Sequence, residues 1–156
     1  MADLLVKLYE LPAMETAARD AVIIRRAMAY EKHAVLGWVK TNFGEGWMSE
    51  CDVAIGNRPI ACHIAVAKGQ VIGFACFDAT CRGFFGPIGV ADEARRRGVG
   101  RALLLATLHA MSAAGYAYAI IGGAGEPLFF AKTVGAVEIP DSTPGIYRDR
   151  LRAPKP

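Results

Sequence analysis

The sequence has no Cys-x-x-Cys pair, no secretory leader pattern, no internal repeat and no low-complexity tract. Its four cysteines, Cys51, Cys62, Cys76 and Cys81, do not cluster in sequence with the three histidines, His33, His63 and His109. That distribution offers neither a zinc-ligand spacing nor a disulfide framework, so reduced thiols, a cytoplasmic setting and no metal are expected. No Ser-, Gly- or Pro-rich linker divides the chain, and its 156 residues suit one domain over residues 1–156. Charge is also scarce. The net value is only +3, with 21% charged and 53% apolar residues, which describes a folded globular chain. The positive excess is local, in Arg95, Arg96, Arg97 and Arg101 and again in Arg148, Arg150, Arg152 and Lys155. Without an aromatic-interleaved basic face, such clusters favour a small anionic ligand over a nucleic acid.

One long uncharged run, residues 102–125, has the length of a membrane span. Gly115 interrupts it, its second half changes to a strand-like pattern, and His109 and Gly122-Gly123-Ala124-Gly125 suit a bilayer poorly. Two buried elements account for it, and no membrane association is expected.

Hydrophobic periodicity predicts a strand over residues 4–11, ended by Pro12, and helical structure over residues 13–43. In that second stretch Met14, Ala17, Ala18, Ala21, Val22 and Met28 recur at helical spacing, as do Val35, Val39 and Phe43, with a break near residues 30–37. Residues 44–59 read as a short helix or a loop. Strands follow over residues 60–67, 70–78 and 84–90, with a turn at Lys68-Gly69 and with Pro87 forbidding a regular ladder. A helix over residues 99–114, a buried strand over 116–121 and a short helix over 128–134 come next, then strands over 137–139 and 145–151. The order β-αα-βββ-α-β-α-ββ implies an α/β or α+β domain with a mixed sheet and helices on both faces.

The sharpest local signal is the run Gly89-Val90-Ala91-Asp92-Glu93-Ala94-Arg95-Arg96-Arg97-Gly98-Val99-Gly100-Arg101-Ala102. A strand feeds a loop of arginines and glycines that opens directly into an apolar helix. The first amides of a helix lack internal acceptors, and the helix dipole adds positive potential there. Glycine lets main chain approach an anion closely. The run therefore suits a phosphate or pyrophosphate, although a solvated basic loop capping a helix would share its composition. It contains no Gly-Lys-Ser/Thr and no Gly-x-Gly-x-x-Gly, which excludes the phosphate loop of nucleotide triphosphatases and the dinucleotide fingerprint.

Arg95-x-x-Gly98-x-Gly100 resembles the acetyl-CoA signature of the GNAT superfamily of N-acyltransferases, Arg/Gln-x-x-Gly-x-Gly/Ala. Gly86-Pro87-Ile88-Gly89-Val90 is similar to that family's bulged strand, and Leu128-Phe129-Phe130-Ala131-Lys132-Thr133-Val134-Gly135-Ala136 to a later helix of it. The resemblance implies a mainly antiparallel sheet of about seven strands whose fourth and fifth strands splay apart. It also implies acetyl-CoA as co-substrate and an amine acceptor, either a small molecule or a peptide, and it is compatible with a homodimer. The implied cofactor-binding residues are Ile88, Gly89, Val90, Arg95, Arg96, Arg97, Gly98, Val99, Gly100, Arg101, Ala102, Phe129 and Phe130. The Val90 backbone N–H, or a neighbouring one, would stabilise the oxyanion as the amine attacks the thioester directly.

The catalytic side chains stay open at this level. Many relatives carry a tyrosine where this chain has Phe130, and phenylalanine cannot donate a proton. Tyr147, Tyr116 and Tyr118 are alternatives, against their reading as sheet or core aromatics. Glu50, Asp52, Asp78 and Glu126 are candidate bases, against their reading as solvated or capping acids. His63 belongs to the exposed sheet face or the substrate cleft, the sheet face being preferred, and His109 to a packed helix. Trp38, Phe43 and Trp47 fall where an acceptor wall would stand, against core packing. A CoA-binding module without transferase activity is the alternative that Phe130 raises.

Overall fold

The computed structural model describes residues 1–14 and 21–156. Its strands are β1 (Leu4–Lys7), β2 (Ile23–Arg26), β3 (Cys62–Ala67), β4 (Gln70–Phe77), β5 (Phe84–Val90), β6 (Tyr118–Ile121) and β7 (Val137–Glu138). Its α-helices are α1 (Lys32–Phe43), α2 (Glu45–Gly56), α3 (Val99–Ala113) and α4 (Pro127–Val134). One mixed sheet runs in the order β2-β3-β4-β5-β6-β1-β7, antiparallel throughout except between β5 and β6.

Side-chain alternation along β4 assigns the helices to faces, because successive residues of a strand point to opposite sides. At Gly73 an added Cβ would meet Leu103 and Val99 of α3. Phe74, the next residue, touches Trp38, Phe43 and Trp47 of α1 and α2 instead. So α3 covers one face and the α1–α2 pair the other. The core lies on both sides of β3 and β4, with Ile64, Phe74, Leu103, Leu104 and Leu108 wholly enclosed.

Three expectations are corrected. The stretch read as helical over residues 13–43 contains strand β2, paired with β3 from Ile23↔Val66 to Arg26↔His63. Consecutive β-branched residues at 22–24 lose side-chain freedom in a helix, and the edge of β3 carries peptide groups that a neighbouring strand satisfies. The helical assignments at Ala17 and Ala18 lie outside the described residues. The strand expected over residues 145–151 is instead a short 3-10 turn, Gly145–Tyr147, that brings Tyr147 to the cleft. The sheet still has seven strands, because β2 takes the place of that last one. The first strand also ends early, at Lys7, and a 3-10 turn over Leu8–Glu10 follows. Residues 44–59, ambiguous in sequence, are largely α2.

Candidate active site

With β2 counted, the fourth and fifth strands of the sequence reading are β5 and β6. They are paired only at Phe84↔Ile120 and Phe85↔Ile121. Beyond that point β6 ends and the chain turns away through Gly122–Gly125. The turn is tied down by two bonds to the N-terminal segment: Gly123 N–H donates to Asp3 Oδ1 (2.8 Å) and Ala124 N–H to the Ala2 carbonyl (3.2 Å). Among the described residues β5 continues without a strand partner on that side, which opens the sheet into a cleft.

The register identifies which peptide groups face the cleft. Ala91 N–H donates to the Ile72 carbonyl at 2.8 Å, and the Gly89 carbonyl also lies on the β4 side. Because antiparallel ladders alternate, the main-chain groups of Ile88 and Val90 point away from β4, into the cleft. A bulge keeps the earlier part of β5 irregular. The pairing passes from Ala75↔Ile88 to Phe77↔Phe85, which leaves Gly86 and Pro87 opposite Cys76. The proline thus stands where no ladder bond is lost.

At the far end of β5 the arginine loop leads into α3. Arg96 (φ +66°) and Gly98 (φ +77°) adopt left-handed conformations, which curl successive peptides into a concave turn. Ala102 N–H bonds back to the Gly98 carbonyl at 3.0 Å, so the opening amides of α3 precede the first intrahelical bond of this turn. Arg95 forms an exposed pair with Asp92 (3.3 Å).

These elements enclose a cavity of about 640 Å³. Of the residues implied as cofactor-binding, Ile88, Gly89, Val90, Arg95, Arg96, Gly98, Gly100, Arg101, Phe129 and Phe130 line it. Arg97 is exposed off the lining, while Val99 and Ala102 are buried in the packing of α3. Phe130 is both core and wall: it lines the cavity and meets Phe85 and Phe129 edge-on at 6.2 and 5.2 Å.

A second cavity of about 560 Å³ adjoins the first and shares Trp47, Phe85, Gly86, Pro87, Gly122 and Gly123 with it. Two of the candidate catalytic residues meet there, Glu50 from α2 and Tyr147 from the late turn. The Thr80 hydroxyl donates to Glu50 Oε1 at 2.5 Å. Partial burial, with the Asp3 and Glu50 carboxylates nearby, pushes the Tyr147 phenol above its ordinary value, so it stays protonated at neutral pH. Glu126 reaches the first cavity from the start of α4.

The other candidates are placed elsewhere. Asp78 lines neither cavity; it accepts from the Gly83 N–H (2.7 Å) and from the Tyr116 hydroxyl (2.8 Å), holding the turn before β5. Asp52 pairs with Lys32 at 2.7 Å, and Tyr118 meets Tyr9 edge-on at the surface. His63, expected on an exposed sheet face, is instead buried under α3, because that helix covers this face of β3; its Nδ1 is 3.2 Å from the Thr107 hydroxyl, and burial and the Arg26 charge pull its pKa down to about 4. His109 bonds the Pro12 carbonyl at 2.7 Å.

Of the aromatic trio, Trp47 and Phe43 reach the cleft, whereas Trp38 packs behind them on Phe43 and Phe74. A Cβ on Gly89 would fall 2.5 Å from the Phe43 ring, so glycine is needed for that close approach. The site residues that motif reading missed are Phe85, Ile121 and the Gly122–Gly125 turn. Only the glycine cluster carried a signal in the sequence, and it read as a loop.

The acetyltransferase (GNAT) domain profile matches residues 59–136, half of the chain. Similar folds occur in a GCN5-related N-acetyltransferase from Sphaerobacter thermophilus, with a TM-score of 0.72 at 18% identity over 88% of this chain and 48% of that one. A GCN5-related glucosamine N-acetyltransferase region of a fungal multi-domain GH3 β-N-acetylglucosaminidase gives 0.71 at 14% identity, over 88% and 19%. A GCN5-related N-acetyltransferase from Kribbella flavida gives 0.56 at 18%, over 88% and 53%. The chain thus spans about half the length of the first of these and a fifth of the second. No curated protein matches the sequence. Among the described residues no helix is long and apolar enough to cross a membrane. By its domain profile, and in keeping with the splayed sheet and arginine–glycine loop, the chain belongs to the GNAT family of acetyltransferases.

Proposed function

We propose that the protein transfers an acetyl group from acetyl-CoA to a primary amine. The observation that carries this reading is the continuity of the lining: outward-facing peptides of Ile88 and Val90, the turn at Arg95–Gly98 and the start of α3 bound one cavity. Such a cavity suits a ligand with a pyrophosphate at one end and an amide-bearing arm along the rest. The arm pairs with β5 as a strand would, and the pyrophosphate sits on the α3 amides with arginine charge nearby. The thioester then falls beside Gly86 and Gly122, which the two cavities share, and the Ile88 N–H, the nearer of the two outward-facing amides, polarises its carbonyl, while the Val90 peptide pairs with the arm.

The acceptor enters by the second cavity. There Glu50 attracts the ammonium group and takes its proton, directly or through water, and the Tyr147 phenol supplies a proton to the departing thiolate. The neutral amine attacks the carbonyl carbon, a C–N bond forms, the C–S bond breaks and CoA leaves as the thiol. The proton shed by the attacking nitrogen passes through water to the Tyr147 phenolate and restores the phenol, and Glu50 returns its proton to solvent. Phe130 does not take part in the proton transfers and is a packing residue of the wall.

Gly100→Glu tests the placement. A Cβ at Gly100 would make only ordinary contacts, 3.7 Å to Val90 and 3.9 Å to Phe129, so the fold should survive. The longer side chain would fill the cavity with negative charge. Calorimetric titration with acetyl-CoA should show binding to the parent and at least a hundredfold weaker binding to the variant, with unchanged circular dichroism. Equal affinity in the two proteins would refute the placement.

A further inference from the structure

The three cysteines that the sequence keeps apart converge in the fold. Cys51 on α2, Cys62 at the start of β3 and Cys76 on β4 are each completely buried, and their sulfurs all lie within 4.8 Å of one another. Cys62 and Cys76 stand directly opposite each other in the β3–β4 ladder, and Cys51 Sγ approaches Cys62 Sγ to 3.8 Å. No two of them form a disulfide. From this geometry we infer that Cys51, Cys62 and Cys76 form a three-coordinate site for one soft monovalent cation, Cu(I).

The dimensions suit such an ion. A metal equidistant from three sulfurs at about 2.3 Å, in their plane, requires sulfur separations near 4 Å. The triangle needs only a small contraction to reach that. The ligand chemistry selects the metal. Thiolates are soft donors that prefer Cu(I) or Zn(II), and oxygen-seeking ions have no partner here. Zinc in structural sites takes four ligands. Among the described residues no fourth His, Cys, Asp or Glu donor joins the cluster. His63, adjacent to Cys62, points to the other face of β3 and engages Thr107.

Buried cysteine is also an ordinary small apolar residue, so any one of the three would be unremarkable as packing. What packing does not require is sulfur at all three positions, from a helix and two strands, aimed at one point. On loading, Cu–S bonds replace S–H bonds, the displaced protons go to solvent and copper stays monovalent, so no oxidant or reductant is consumed. The bound ion would clamp α2 onto β3 and β4 close to Trp47 and Glu50.

The test uses the reduced full chain under anaerobic conditions, titrated with Cu(I) against bathocuproine disulfonate. Since the sulfurs are enclosed, loading is carried out both on folded protein and during refolding from denaturant. The expected result is one Cu(I) per chain, a raised melting temperature, and an X-ray absorption spectrum with three sulfur neighbours and no nitrogen or oxygen. Cys51→Ala and Cys76→Ala should each weaken retention at least a hundredfold, while Cys81→Ser, outside the cluster, should retain the full stoichiometry. If neither loading route gives bound copper, or if Cys81→Ser abolishes it, the inference is overturned. A nitrogen or oxygen ligand in the loaded parent would overturn it too, and that measurement does not depend on whether the alanine variants fold.

Discussion

Tyr147 reaches the cleft because residue 122 is glycine: a Cβ there would lie 2.5 Å from the Tyr147 hydroxyl and 3.0 Å from the Phe84 ring. The phenol therefore occupies space that any other residue at 122 would claim. Phe130, where the family resemblance led us to look for a tyrosine, is buried between Phe85 and Phe129. A hydroxyl on that ring would have to find a partner or cost about 1–3 kcal/mol. In the proposed mechanism proton donation falls instead to Tyr147, which lines the second cavity. Tyr147→Phe should lower kcat by roughly 10–100-fold, below the usual ceiling for a general acid because a thiol leaves readily even without one. Acetyl-CoA affinity and melting temperature should stay within error of the parent. Glu50→Gln should lower kcat/KM for the amine. Steady-state kinetics with an amine panel measures both, and an unchanged kcat in Tyr147→Phe would remove the phenol from the reaction.

At the scale of elements, β3 shows one strand serving two helical layers. Cys62 and Ile64 face α1 and α2, while His63 between them faces α3. Enclosure holds the His63 imidazole neutral, at about 4, whereas an unfolded chain titrates near 6.5. Between those values the unfolded state binds a proton that the folded state refuses, so stability rises with pH across that window. The folded protein should accordingly lose stability as pH falls from about 6.5 towards 4, with no contribution from this residue above it. Urea unfolding of the parent and His63→Gln over that range checks the sign. The parent should show a steeper loss, and parallel curves would mean that His63 is protonated in the fold. The same packing explains α3, whose Val99, Leu103, Leu104 and Leu108 are fixed against the sheet. A helix so anchored presents its N-terminal amides as a rigid surface, which is what anion binding at the arginine loop requires.

For the whole molecule, the cleft exists because a parallel pair, β5 and β6, is cut short within an otherwise antiparallel sheet. If, as proposed, acetyl-CoA takes the place of the missing strand pairing, most of its contacts should be to the pyrophosphate and the amide-bearing arm and few to the acetyl group. Acetyl-CoA and desulfo-CoA should then raise the melting temperature by similar amounts at equal saturation. A ligand at a hundred times its Kd stabilises the native state by about 2.7 kcal/mol. Differential scanning fluorimetry with both ligands tests this directly. A shift with acetyl-CoA and none with desulfo-CoA would locate the main contacts at the thioester instead.

Local sequence by itself determined the arginine–glycine loop, β5 with its interrupting proline, and α3, because each rests on spacing within a few residues. The Arg95-x-x-Gly98-x-Gly100 run, set between an apolar strand and an apolar helix, carried the family and the fold class. It could not distinguish helix from strand at Ile23–Arg26, where a helical spacing of apolar residues was overridden by the open edge of β3. Nor could it place Tyr147, whose environment is made by Asp3, Glu50 and Gly122 from three distant segments. The cysteines show the division most plainly. At spacings of 11 and 14 residues they match no ligand motif, yet pairing β3 with β4 and laying α2 across them brings three sulfurs within 4.8 Å. Periodicity and motif record interactions along the chain, whereas a cleft or a ligand cluster is made by contacts across it, which only the tertiary fold decides.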